Sequence, residues 1–253
     1  MNDDRELFAK DWQRLLNHLE KEPSDLVLLP EMPFSSWFSA TPTFDPEVWN
    51  QAVHDHEQWI SRLYELSVPV VMATRPIEVE NHRINQGFAW SKRTGPRAVH
   101  TKSYLPNEAG YFEASWYEPG ERVFAPFDVN GMAKAGLMIC SDMWAMQHAR
   151  AYGREGAHLI AVPYAASNKS IDKWLAGGRV AAVVSGAYCV ASNRVGPSRG
   201  GEVEFGGSGW VIDPDGKVLG MTSGESPFVT VQVDTSLAEN AKNTYPRDVL
   251  RPD

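Results

Sequence analysis

Cysteine is nearly absent: Cys140 and Cys189 are the only two in 253 residues. Two thiols cannot build the disulfide framework of a small secreted domain, and neither lies at zinc-ligand spacing from another Cys or a His. A reducing compartment, the cytoplasm, is the expectation, with no metal or other cofactor. Clustered Lys and Arg are also missing. With 24 basic against 32 acidic residues and a formal net charge of −8, the chain lacks the cationic surface that a phosphate backbone requires, so a nucleic-acid partner is not expected. No apolar run approaches a membrane span, and Met1 to Leu7 is charged rather than signal-like. Repeats, linkers and low-complexity tracts are absent too. What is present is ordinary for a globular protein, 43% apolar and 22% charged. Residues 1–253 are read as one domain with a sizeable core.

The apolar pattern alternates between helix and strand. A helix is expected over residues 5–20, with Leu7, Leu15, Leu16 and Leu19 on one face. Pro23, Ser24 and Asp25 break it before a short buried strand at 26–29, which Pro30 and Glu31 close. A second helix is expected at 46–66 and a strand at 68–73. A hairpin follows at 84–91 and 97–101 through Thr94–Gly95–Pro96. Residues 102 to about 120 read as a long irregular segment, of the kind that is usually functional. Further strands are expected at 135–140, 158–162, 188–192, 208–212, 217–220 and 228–233. Helices are expected at 143–153 and 171–187. Such alternation is an α/β fold.

Three chemically active side chains fall at carboxyl ends of these strands: Glu31, Lys102 and Cys140. That end is where open α/β sheets form their ligand crevice. A thiol is a weak nucleophile at its ordinary pKa and needs a cation or a base beside it. Lys102 would favour the thiolate and meet negative charge developing on a carbonyl oxygen, helped by the backbone N–H of Ser141. Glu31 would shuttle the proton. Other candidates carry less. His54 and His56 point about 200° apart on a helix and cannot share an ion. His100 shares a strand face with Lys102, so a thiol–imidazole dyad of His100 or His148 with Cys140 stays open. Cys189 reads as core, and Gly206–Gly207–Ser208–Gly209 as a turn or a close backbone approach.

The stretches Leu28–Leu29–Pro30–Glu31, His100–Thr101–Lys102 with Leu105–Pro106, and Gly136 to Cys140 followed by Ser141–Asp142–Met143–Trp144 resemble the three catalytic motifs of the carbon–nitrogen hydrolase (nitrilase) superfamily, in order and at its separations. Ala191 to Gly196 and Gly207–Ser208–Gly209 leading to Asp213–Pro214–Asp215–Gly216 fit as well, so the resemblance runs from about Leu26 to Val233. It implies a four-layer α-β-β-α sandwich, with Glu31 as general base, Lys102 as catalytic lysine and Cys140 as nucleophile. It also implies a second glutamate in the loop after the lysine, placed at Glu113, with Glu108 as second choice. Family members open with a β-strand before the first helix. The polar Met1–Asn2–Asp3–Asp4 cannot replace one, so either the start lies downstream of the true one or the sheet has lost a strand.

The implied activity is hydrolysis of a linear amide or N-carbamoyl group through a Cys thioester. Nitrile hydrolysis is the alternative on the same residues, and a catalytically silent assembly or binding module is the alternative from another class. Trp116, Trp144 and Tyr164 are candidates for the substrate pocket, with Phe34, Trp37 and Tyr117 also available. Lys169, Arg179 and Arg199 are possible anchors for a charged substrate. A homodimer or larger homo-oligomer is expected, pairing through Met143, Trp144, Met146 and the helix around Trp174.

Overall fold

The computed structural model describes residues 2–249. Asp4 opens the first helix, α1 (Arg5–Lys21), by accepting the backbone N–H groups of Glu6 and Leu7, donors that a helix cannot pair within itself. Its buried stripe is Phe8, Trp12, Leu15 and Leu19. Leu7, expected on that face, is 44% exposed, because it lies about 80° around the helix from Leu15. Then come β1 (Leu26–Leu28) and α2 (Pro46–Ile60), the latter capped by Asp45 with proline in its first turn. A separate 3₁₀ turn, Leu63–Leu66, ends what the pattern suggested was one continuous helix.

β2 (Val70–Val79) runs well past the expected strand, because the chain reverses through Glu80 and Asn81 into β3 (His82–Ser91). Both turn residues have positive φ, 51° and 65°, the requirement of a two-residue hairpin, here met without glycine. β4 (Gly95–Thr101) completes a sheet of order β1-β2-β3-β4. The second half of the chain contributes β5 (Phe127–Val129), β6 (Ala133–Leu137), α3 (Met146–Arg154), β7 (Leu159–Tyr164), α4 (Ile171–Ser185) and β8 (Tyr188–Asn193). A ribbon of β9 (Val195–Pro197) with β10 (Glu204–Gly206) precedes β11 (Trp210–Ile212), β12 (Val218–Met221) and α5 (Thr235–Ala241). The second sheet has the order β12-β11-β8-β7-β6-β5. Pro163 and Tyr164, expected in a loop, belong to β7, whose parallel ladder with β8 continues to Tyr164 opposite Asn193. The strand expected at 228–233 does not form.

The two sheets stack face to face, β2 against β7 and β1 against β8. Leu137 of β6 sits against Gly87 of β3, where any side chain would collide with it. α1 covers the outer face of the first sheet, packing Phe8, Trp12 and Leu15 against Val27, Val71 and Phe88, with α2 beside it. α3 and α4 cover the second sheet through Tyr152, Ala181 and Ala182. The architecture is the four-layer α-β-β-α sandwich. Among the described residues no strand precedes α1; Met1 lies outside them. Asp3, though polar and outside any strand, is buried.

Candidate active site

Glu31 lies just past β1, Lys102 directly after β4, and Cys140 just past β6. Cys140 does not close its strand, as the sequence suggested. It opens a 3₁₀ turn, Cys140–Trp144, at φ 49°, a left-handed conformation that a non-glycine residue keeps only when its surroundings hold it there. The buried carboxylate of Asp142 does the holding. One oxygen accepts the backbone N–H groups of Ser103 and Tyr104, both at 3.0 Å; the other accepts the N–H of Ile139 at 3.1 Å and Nε2 of His100 at 2.8 Å. The residues following Lys102 are thereby fastened to the turn that carries the thiol. Ser141 adds a hydrogen bond from its hydroxyl to the Tyr104 carbonyl.

Lys102 is fully buried between two carboxylates. Its Nζ donates to Oε1 of Glu31 at 2.8 Å and to Oε2 of Glu113 at 2.5 Å. Asn85 of β3 donates to the same oxygen of Glu31 at 2.8 Å, and the Tyr117 hydroxyl donates to the same oxygen of Glu113. Each carboxylate therefore spends one oxygen on the protein. Glu31 Oε2 and Glu113 Oε1 have no hydrogen-bond partner among the described residues, an unusual state for buried acceptors. Glu113 reaches this centre from a 3₁₀ turn in the irregular segment. Glu108 stays exposed, its backbone bridged to Tyr111.

Burial and neighbouring charges shift the pKa values of Lys102, Glu113 and Cys140. Burial works against the Lys102 ammonium, but Glu113 and Glu31 outweigh it and hold the pKa above the ordinary lysine value. Burial pushes the Glu113 carboxyl up to about 7, Lys102 opposing and Glu31 adding to the rise. The Cys140 thiol is pushed well above its usual range, first by burial and then by the Glu31 charge, with Lys102 offsetting only part. The sequence suggested that Lys102 would favour the thiolate. In the folded protein that pull is outweighed, and the thiol pKa lies above its ordinary value. The thiol faces the carbonyl of Ala165 at 3.8 Å.

Several members of this centre escaped sequence reasoning. Asn85 stands between Ile84 and Gln86 in β3 and is fully buried, a placement that pattern alone does not separate from that of a solvated amide. Asn193 clamps the loop after β7 by accepting from Ala166 N–H and donating to its carbonyl. Arg194, fully buried, donates to the carbonyls of Glu31, Met32 and Ser35 and to the carboxylate of Asp3. Burial would raise the Asp3 carboxyl, but Arg194 and the N–H groups of Trp37 and Arg199 hold it below the usual range. Arg194 thus fixes the loop that carries Glu31.

The candidate pocket rings separate. Trp116 is core, packed with Phe38 and bonded through Nε1 to the Thr41 carbonyl at 2.7 Å. Tyr164 is fully buried between Trp174 and Trp210, with its hydroxyl on the Ser208 carbonyl. Trp144 is 48% exposed and lies against Trp174. Tyr111, not singled out before, stands close enough to Cys140 and Glu31 for their charges to bear on its hydroxyl, and its ring meets Trp37. Lys169, Arg179 and Arg199 are all exposed. Of the expected pairing surface, Met143 and Trp174 are already buried in this chain, leaving Trp144 and Val180 outside. His100 bonds to Asp142 rather than the thiol. His56 is buried and bonded to the Ala52 carbonyl, burial pushing its pKa down to about 3, while His54 pairs with Gln58. Cys189 is core, its thiol pushed up to about 12 by burial.

Asp142→Asn should test the fastening directly. An amide cannot accept from Ile139 N–H with its nitrogen, so stability should fall by about 2 kcal/mol and turnover should fall with it. Urea unfolding beside a rate assay reads both; unchanged values would remove Asp142 from this role.

Comparison with known proteins gives concordant results. The carbon–nitrogen hydrolase family profile matches residues 2–243. An N-carbamoylputrescine amidase of Arabidopsis thaliana is 24% identical over 253 aligned residues, covering 92% of this chain and 83% of that one. A nitrilase of Pyrococcus abyssi is 31% identical over 158 residues, 62% of this chain and 58% of that one. Among solved structures, a carbon–nitrogen hydrolase from Helicobacter pylori G27 superposes with a TM-score of 0.86 at 23% identity, covering 98% of this chain and 91% of that one. An amidase from Nesterenkonia sp. AN1, with acrylamide added at its active-site cysteine, gives 0.70 at 21% identity over 88% of this chain and 85% of that one. No helix among the described residues is long and apolar enough to cross a membrane.

Proposed function

This chain belongs to the carbon–nitrogen hydrolase family, and we propose that it hydrolyses a linear amide or N-carbamoyl group through a thioester on Cys140. One observation carries the reading: two buried carboxylates share Lys102 and each leaves one oxygen unpartnered in the neighbourhood of the thiol. Glu31 Oε2 takes the thiol proton as sulfur bonds to the carbonyl carbon. Charge moves onto the carbonyl oxygen, where Lys102 and the N–H of Ser141 receive it. The carbon–nitrogen bond then breaks, and Glu31 returns the proton to the departing nitrogen. Water attacks the thioester, gives a proton to Glu31 and restores the thiol, releasing the acid.

The raised thiol pKa fits this order, because the proton leaves during attack rather than before it. Glu113 Oε1, without a hydrogen-bond partner among the described residues, would accept an N–H of the substrate, which an amide or ureido group has and a nitrile lacks. That free acceptor favours the amide over the nitrile. A silent module would have no physical need to bury a lysine between two carboxylates.

Incubation with a panel of amides, N-carbamoyl amino acids and nitriles, with ammonia release and Cys140 adducts followed, tests the reading. Turnover of nitriles alone would transfer it to the nitrilase reaction, and no adduct with any of them would leave the silent module. The thiol should also show its burial in solution. Its alkylation by iodoacetamide should keep rising with pH beyond 9, since only the thiolate reacts and the folded pKa lies above the ordinary value. A rate that levels off below pH 8 would mean a thiolate already formed at rest.

A further inference from the structure

An ammonium group has three N–H donors, and on Lys102 two of them go to Glu31 and Glu113. A carboxylate held by a single ammonium at one oxygen can still pivot about that contact. Here a second, neutral donor closes on the same oxygen of each carboxylate. Asn85 Nδ2 donates to Oε1 of Glu31 at 2.8 Å, and the Tyr117 hydroxyl donates to Oε2 of Glu113. The Asn85 amide also bears on the Tyr117 hydroxyl. Glu31, Asn85, Tyr117, Glu113 and Lys102 thus form a closed circuit.

Both neutral donors are anchored at the groups they serve. The Asn85 carbonyl accepts the Lys102 N–H at 2.9 Å, which ties β3 to the lysine itself. Tyr117 follows Glu113 by one turn, its N–H on the Glu113 carbonyl at 3.1 Å. The Tyr117 ring is buried with Phe38, Trp49 and Trp116, so phenylalanine in its place would keep the packing and lose only the bond.

The groups that face Glu113 are Lys102 after β4, Glu31 after β1 and the Cys140 thiol after β6, with Tyr117 from its own segment. Burial pushes the Glu113 carboxyl up to about 7; Lys102 opposes the rise, Glu31 adds to it, and the Tyr117 bond opposes it. Near neutral pH this carboxyl stands at the edge of ionisation, where one hydrogen bond to its charged form shifts the population. A second cation in that place would neutralise both carboxylates and weaken Glu31 as a base. A neutral hydroxyl orients Glu113 without adding charge.

We propose that Tyr117 is a positioning residue for the hydrolysis proposed above: its hydroxyl keeps Glu113 a charged acceptor and turns Oε1 toward the substrate N–H. The role rests on that reading of the site.

The test is Tyr117→Phe in the full chain, read by NMR of protein carrying isotope-labelled glutamate carboxyls. The Glu113 signal is assigned by its loss in Glu113→Gln. In Tyr117→Phe this carboxyl should titrate about one pH unit higher than in the wild type. The acid limb of kcat/KM should move up with it, and a pH above the new limb should restore activity to within about threefold. Packing damage alone would not be rescued by pH. A ring-fluorinated tyrosine placed at 117 keeps the ring and strengthens the donor, so there the titration should move down; it decides the matter even where Tyr117→Phe does not fold. A Glu113 titration unmoved by these changes overturns the proposal. A titration that moves while the acid limb stays in place overturns it too and leaves the hydrolase reading intact. Absence of turnover in the wild-type protein overturns that reading, and this role with it.

Discussion

Cys140→Ala should reduce turnover by at least about 10⁴-fold while leaving the protein folded, because a nucleophile acting as one unit with its base cannot be replaced by the remaining members. Its side chain packs as a small buried group beside Ala165. Losing one sulfur should therefore cost roughly 1 kcal/mol of stability. Relief of the left-handed backbone at this position is not expected, since alanine at φ 49° is no more comfortable than cysteine. The measurement is kcat on the best substrate of the panel, alongside a urea denaturation midpoint. Wild-type kcat in a folded Cys140→Ala protein would end the covalent mechanism.

Lys102→Met should be nearly as severe, and for two reasons that can be read apart. Turnover should fall by about 10³-fold or more, the usual cost of an oxyanion donor. Stability should fall by about 3–5 kcal/mol near pH 8, because Glu31 and Glu113 would be left buried and facing each other without their shared cation. The sign with pH follows from the same geometry. Two like charges raise each other's pKa, so the folded variant binds a proton that the unfolded chain does not. Its stability should recover as pH falls through the raised carboxyl pKa and decline as pH rises. A variant equally stable at pH 5 and 8 would mean that the lysine does not neutralise the pair. Glu31→Gln separates the other role: it keeps the hydrogen bond from Asn85 but cannot accept the thiol proton or activate water. With a reactive ester it should accumulate a thioester on Cys140, visible by mass spectrometry. Deacylation at the wild-type rate would make Glu31 structural and pass the base to Glu113.

The α/β alternation and the three residues at strand ends were legible in the sequence because both rest on short-range pattern, and the family resemblance implied the four-layer sandwich. Apolar period fixed α1, β1, β6 and β8 to within a few residues, and composition excluded a disulfide scaffold. Motif order singled out Glu31, Lys102 and Cys140. Partners from distant segments were not legible. Asp142 was quoted only as part of a motif, yet it spans from the Cys140 turn to the residues after Lys102, and Arg194 spans from β8 to the loop after β1. Nothing near either residue in sequence announces its target. The distinction between Glu113 and Glu108 likewise required the fold, since both sit in the same irregular segment and only one is buried against Lys102.

Periodicity also misjudged residues 228–233, whose alternation of valine with polar residues is that of a strand. Alternation prepares a segment for pairing but supplies no neighbour, and this segment makes no backbone–backbone hydrogen bond among the described residues. The sequence by itself determined which segments could be helix or strand and which side chains could do thiol chemistry. The tertiary structure decided the upward shift of the Cys140 thiol pKa, the sharing of Lys102 between two carboxylates, and which strands found partners. Those outcomes depend on burial and on charges brought together from distant positions, as between Glu31 and Lys102, 71 residues apart, and such distances leave no local imprint on sequence.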